Sequence, residues 1–305
     1  LITGLQAIPT MSLAVDPDEL NRSGGFYRRG GQEPCSVEII YAEEPAASHQ
    51  ADGFVEPHSH ARLKRSLRLN FRGSVGGDSK LESDLFQRES LHGFSAVDSF
   101  DRIILRAGNN RSWARSYNPD KTAYTIDQFT RDSQLAMSGY GMRGVFVHLY
   151  INGLYWGLYN PVERADSTFN ADYFGGNKEE WYTRNHGGTF SSGDTDDTRY
   201  RNAVGTVSNN DLSDPAQYAE LEQHLDIDGF CDYLIIHWYA GVGDWPGNNW
   251  YAANRNGDKP GPVRFFAWDS EWSWDAPKGG AYGKVHGAFT SSSTTGSAEP
   301  WHKLQ

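Results

Sequence analysis

Val145-Phe-Val-His-Leu-Tyr-Ile-Asn-Gly-Leu-Tyr-Trp-Gly-Leu-Tyr-Asn-Pro-Val-Glu-Arg-Ala-Asp166 sets two runs of aromatic and branched residues on either side of Asn152-Gly153. Asn and Gly both tolerate positive φ, so this pair between two such runs predicts a tight β-hairpin. Further strands are expected upstream. Ile8–Val15 and Val37–Tyr41 are short apolar stretches set off by Gly, Pro and Ser. In Leu63-Lys-Arg-Ser-Leu-Arg-Leu-Asn-Phe71, Leu67, Leu69 and Phe71 share one face, while Lys64, Ser66, Arg68 and Asn70 share the other. Ser99–Arg106 is another candidate strand, and residues 126–137 can form a helix.

Downstream of the hairpin the pattern changes. A polar stretch runs to about residue 210, and its acidic run Gly193–Asp197 reads as a solvated loop. Asp214-Pro215 can cap and start a helix that reaches about His224. Asp226–Tyr239 reads as a second, mostly buried helix. A Gly/Pro loop, Gly241–Asn249, leads into a strand pair, Trp250–Ala253 and Val263–Trp268, with a turn at Asn256–Asp258. Residues 278–299 are rich in Gly, Ser and Thr and read as loop. The expected class is α+β, with a β-rich first half and a helical second half.

Composition narrows the function. The 305 residues carry 28 Lys+Arg against 39 Asp+Glu, a net charge of −11. An acidic surface argues against non-specific binding to nucleic acid, whose phosphates reward positive charge. No apolar run approaches the roughly 20 residues that a membrane-spanning helix needs. Ten Trp, 16 Tyr and 15 Phe are enough to build a core. Cys35 and Cys231 are too few for a disulfide scaffold or a cysteine-based zinc site. The chain begins at Leu1 without a leader-like segment, and it reads as a piece of a longer product.

The candidate chemistry lies in two loops. In Asp244-Trp-Pro-Gly-Asn-Asn249 an Asp stands five residues before an Asn, between a buried helix and a strand. About 20 residues later, Asp269 follows an apolar strand. Phosphoryl-transfer enzymes of the protein-kinase type use this order. One loop Asp takes the substrate hydroxyl proton, an Asn five residues on helps hold Mg²⁺, and an Asp after the next hairpin joins the metal to the phosphates. Asp, Asn and Gly also dominate ordinary turns, so spacing alone leaves a plain turn and a strand-end cap as the simpler account. Lys64 could hold nucleotide phosphates, although most strand lysines only face solvent. His58-Ser-His60 has the spacing of a two-imidazole metal clip, but no partner Glu follows, and a polar strand end is favoured. Glu163, Glu271 and Asp275 sit near aromatic residues and leave a carboxylate-based glycan-active enzyme open.

Taken together, these segments resemble the spore coat protein H (CotH) kinase-like family. The match runs in order through LKRSLRLNF (63–71) and GSVGGDSKL (73–81), ILRAGNNRSW (104–113), VFVHLYINGLYWGLYNPVERAD (145–166), DGFCDYLIIHWYAGVGDWPGNNWYAAN (228–254) and FFAWDSEWSW (265–274). It spans roughly residues 9–305. The resemblance implies an atypical protein-kinase-like bilobal fold, with an N-lobe and β-rich extension over 1–162 and an incomplete C-lobe over 163–305.

It also implies ATP with Mg²⁺ or Mn²⁺ as cofactors and a protein substrate with Ser/Thr acceptors, in a bacterial envelope, coat or secreted setting. By position it assigns catalysis to Asp244, metal binding to Asn249 and Asp269, and nucleotide binding to Lys64 and to Glu163, the latter near the adenine. The chain departs from ordinary kinases in lacking an obvious G-x-G-x-x-G loop and in following Asp269 with Ser270-Glu271. Lys64-Arg65 stands where the family often has a lysine pair, and strand pleating selects Lys64. Two other classes stay open: a non-catalytic kinase-fold surface or binding protein, and the glycan-active enzyme.

Overall fold

The computed structural model describes residues 2–21, 25–58, 64–73, 76–112, 123–189, 193–243 and 245–274. The chain forms two compact units, residues 1–124 with 143–164 and residues 125–142 with 165–305. The fold is mixed α+β, as expected.

The first unit is built on a closed barrel. After helix α1 (Ile2–Gln6) come strand β1 (Thr10–Val15), helices α2 (Pro17–Asn21) and α3 (Phe26–Arg29), and strands β2 (Glu33–Ile40), β3 (His49–His58) and β4 (Ser66–Asn70). Strand β5 (Leu81–Glu82), helix α4 (Leu85–Glu89) and strands β6 (Ser99–Phe100), β7 (Arg102–Arg106), β8 (Val147–Ile151) and β9 (Leu154–Val162) complete it. The barrel order is β1-β2-β3-β4-β7-β9-β8. It closes where β8 lies parallel to β1, with Met11 opposite Leu149.

Alternation along each strand decides what fills the barrel. Leu13, Val37, Val55, Leu67, Leu69, Ile103, Leu105 and Leu149 are all buried in one cluster. Each such side chain contributes about 1.5–3 kcal/mol on leaving water. The hairpin forms at the expected place, with Asn152 and Gly153 both at positive φ. The Asn152 side chain also accepts a hydrogen bond from Val15 N at 2.9 Å, which ties the turn to the neighbouring strand.

The expected strand over 63–71 is shorter than the residue pattern suggested. Strand β4 starts at Ser66, so Lys64 precedes it. The backbone of Arg65 is taken by side chains instead of a ladder: its N–H donates to Tyr27 Oη at 3.2 Å, and its carbonyl accepts from Tyr159 Oη at 2.9 Å. Of strand β3, only its polar end at His58 is read from the sequence.

The second unit opens with helix α5 (Ile126–Ser138), followed by helix α6 (Ser167–Phe174), strands β10 (Trp181–Asn185) and β11 (Gly188–Thr189), and helices α7 (Thr198–Asn209), α8 (Pro215–Glu222) and α9 (Ile227–Ala240). Strands β12 (Trp250–Arg255) and β13 (Arg264–Ala267) finish a four-stranded sheet of order β11-β10-β12-β13. Asp214 and Asp226 cap α8 and α9 through their carboxylates, which is why both helices were legible.

The acidic run is the loop expected. Asp194 and Asp196 accept from backbone N–H groups two residues on, at 2.9 Å each, and so turn the chain into α7. Helix α9 is packed closely at Gly229 by Tyr140, just past the end of α5; an added Cβ there would lie 2.1 Å from Tyr140 Oη. Cys35 and Cys231 are free thiols. No described helix is long and apolar enough to cross a membrane.

Candidate functional site

In the second unit, α9 delivers the first loop. Its last turn is closed by Gly241 N, which bonds the carbonyls of His237 and Trp238. Asp244 lies outside the described residues. Its neighbour Trp245 is a buried anchor whose indole N–H donates to Tyr233 Oη at 2.6 Å, so α9 holds the loop from within. The loop ends at Asn249, which adopts the left-handed conformation with φ 64°.

The second loop leaves β13 and reaches Asp269, also left-handed with φ 55°. Positive φ is uncommon outside glycine, although Asn and Asp tolerate it best. Here it occurs at both expected metal-binding positions. The two are brought together: Asn249 Nδ2 donates to the Asp269 carbonyl at 3.2 Å. Two further backbone bonds lock the loops, Gly243 N to Trp272 O at 2.6 Å and Trp274 N to Ala240 O at 2.7 Å. With its nitrogen turned to that carbonyl, the Asn249 carboxamide points its oxygen the other way.

Asn249 and Asp269 each carry a hard oxygen donor, an amide oxygen and a carboxylate, on adjacent loops. That suits Mg²⁺, which keeps several waters and needs few protein groups. Among the described residues no group of three or more His, Cys, Asp or Glu could hold a metal ion. Glu271 is buried in the same turn, beside Ser270 and Ser273.

In the first unit Lys64 is half-buried. It donates to the Leu158 carbonyl and lies 4.5 Å from the Tyr159 ring centre and 4.7 Å from that of Tyr124. Rings at this distance attract a cation by their quadrupole. Glu163 is buried just after β9. Its carboxylate accepts from Arg143 N at 2.8 Å and lies 3.6 Å from the Arg143 guanidinium, itself buried. Backbone pairing runs back from Glu163 N to Arg143 O at 3.1 Å.

One feature of this unit was missed from sequence. The polar face of β4 meets β3 and β7 in register, with Glu56 opposite Arg68 and Asn70 opposite Arg102. Arg68 Nε donates to Glu56 Oε1 at 2.6 Å, and Arg102 Nε donates to Asn70 Oδ1 at 2.9 Å. His58 ends β3 on this face. Burial, together with Arg164, Arg68, Arg106 and Arg102, holds its pKa down at about 3. The guanidinium groups around it make the surroundings of His58 positively charged. His60 lies outside the described residues. The alternation in LKRSLRLNF signalled this polar face, but only strand pairing gathers the arginines from several strands onto it.

No curated protein matches the chain. The profile of the CotH kinase protein family matches residues 58–303, a stretch that includes every candidate residue named above. The chain belongs to the CotH kinase family.

Proposed function

We propose that the chain is an ATP- and divalent-metal-dependent protein kinase of the CotH type. It transfers the γ-phosphoryl group to a Ser or Thr hydroxyl of a coat, envelope or secreted protein. The observation that carries this reading is the pairing of Asn249 with Asp269, both left-handed and joined by a hydrogen bond. In this reading Asn249 and Asp269 hold Mg²⁺ or Mn²⁺. The metal, when bound, supplies charge neutralisation at the β- and γ-phosphates.

Asp244 orients the acceptor hydroxyl and takes its proton. Lys64 adds a fixed positive charge toward the phosphates, within a barrel unit that also gathers Arg68 and Arg102. Glu163, its carboxylate already committed to Arg143, serves the adenine end as a rigid point of the chain. The acceleration is then mostly positioning and electrostatics. The β-rich unit corresponds to the N-lobe of such a kinase and the helical unit to the C-lobe.

The test is calorimetric titration of ATP with and without Mg²⁺. Metal-dependent binding that disappears in Asp269→Ala supports the reading. Asp244→Ala should keep nucleotide binding and lose transfer. Wild-type turnover in that variant would remove Asp244 from the base role.

A non-catalytic kinase-fold surface protein is the second reading. One observation favours it: the Lys64 ammonium is engaged by a carbonyl and two rings, which weakens its pull on phosphate. ATP binding without transfer to any protein would select it. The glycan-active reading fits less well, because Glu163 and Glu271 are both buried and a polymer must reach its carboxylates.

A further inference from the structure

Strand β13 is the edge of its sheet, paired only with β12 among the described strands. An edge strand presents main-chain groups that need partners when buried. Phe265 and Ala267 are buried, and their outward groups are met by one side chain from α5. Gln134 Nε2 donates to Phe265 O at 2.7 Å, and Gln134 Oε1 accepts from Ala267 N at 2.8 Å. The carboxamide thus stands in for a peptide unit of a neighbouring strand.

Helix α5 continues this contact past Asp269. Asp127 Oδ1 accepts from Ser270 N at 2.7 Å, and Thr130 Oγ1 accepts from the Trp274 indole N–H at 3.0 Å. Main-chain groups on both sides of Asp269 are therefore fixed by one helix. Asp127 is held in turn by Arg131, whose Nη2 lies 3.3 Å from Asp127 Oδ2 and 2.9 Å from Gln128 Oε1. Arg131 and Gln134 are fully buried, so these are interior contacts that water does not contest.

We propose that α5 is the positioning element for the metal-binding turn, with Asp127 and Gln134 setting the backbone conformation that aims the Asp269 carboxylate. Neither residue touches metal or nucleotide; both act through the main chain around Asp269. The inference rests on the reading of Asp269 as a metal ligand. Changing a group that orients a metal ligand typically costs about 10- to 100-fold in metal affinity.

The experiment measures Mn²⁺ binding to the full chain in the presence of ATP, by the loss of the free-ion electron paramagnetic resonance signal, alongside thermal unfolding. Asp127→Ala should weaken Mn²⁺ binding by about 10- to 100-fold. Asp127→Asn keeps an oxygen for Ser270 N but loses the charge facing Arg131. It should therefore fall in stability like Asp127→Ala yet bind Mn²⁺ close to wild type.

That split between stability and affinity is the signature of positioning. Equal affinity losses in the two variants, tracking their stability, would reduce Asp127 to a structural role and overturn the proposal. Undiminished affinity in Asp127→Ala would do the same. Should Asp127→Ala not fold, Gln134→Met decides: a folded variant with weakened Mn²⁺ binding supports the proposal, and one with wild-type binding overturns it. Asp269→Ala is the control. If it binds Mn²⁺ as wild type does, the metal-ligand reading fails first, and the failure is distinguishable from that of α5.

Discussion

Replacing Arg131 with methionine should destabilise the second unit strongly while changing its volume little. The guanidinium is fully buried and faces the Asp127 carboxylate at 3.3 Å. It also donates to Gln128 Oε1 at 2.9 Å and to Met142 O at 3.4 Å. Removing one partner of a buried ion pair leaves the other charge without compensation and costs about 3–5 kcal/mol. Asp127 keeps its bond from Ser270 N, which places the expectation near the lower end, about 3 kcal/mol. For a unit of this size that corresponds to a Tm loss of roughly 6–12 °C, at about 2–4 °C per kcal/mol.

The assay is thermal unfolding followed by near-ultraviolet circular dichroism, which reads the packed aromatic residues of this unit. A second arm replaces both partners, Asp127→Asn with Arg131→Met. With no buried charge left uncompensated, the double variant should recover part of the loss, and the double-mutant cycle gives the coupling. An Arg131→Met shift under about 2 °C, or a double variant no better than the sum of the singles, would refute the reasoning. Either result would mean that the pair is hydrated or that its surroundings relax freely.

Three further outcomes are expected. Leu69→Ala should cost about 2–5 kcal/mol, read by urea unfolding, because the fully buried barrel interior cannot collapse around the cavity. Gly229→Ala should destabilise despite the better helix propensity of alanine. Its methyl group would meet Tyr140 Oη at 2.1 Å, and a Tm equal to or above wild type would show that Tyr140 moves aside. Stability should fall with pH below about 6.5 and level off below about 4 as far as His237 is concerned. Burial holds its folded pKa down at about 4, so only the unfolded chain takes up the proton in that window. Tm measured from pH 7 to 4 should therefore drop less steeply in His237→Phe, and identical slopes would remove His237 as a source.

Much of the local structure was legible because its causes are local. Asn152-Gly153 carries its own backbone preference, and the side chains of Asp214 and Asp226 reach N–H groups within the next turn. The acidic run Gly193–Asp197 is a loop as its composition suggests, and Asp196 accepts from Thr198 N at the start of α7.

Lys64 shows the limit. Pleating predicted it on a strand, but Tyr27 and Tyr159 take up the main chain of Arg65 and delay the strand to Ser66. Of the candidate site, Asn249 and Asp269 stand out in order and spacing, but only the family resemblance separates them from ordinary turn residues. Asp127 and Gln134 do not stand out, since a helical Asp and Gln at that distance in the chain read as an ordinary polar face.

The sequence alone thus determined the α+β class, the hairpin, the capped helices and the residue types able to bind a hard cation. These depend on contacts within a few positions. Only the tertiary structure decided that β8 would close the barrel against β1 and that residues 125–142 would cluster with the second unit. It also decided that α5 would hold the turn at Asp269 from over a hundred residues away. Such partners are chosen by which buried polar groups must be satisfied once the apolar faces have packed, and that requirement exists only in the folded chain.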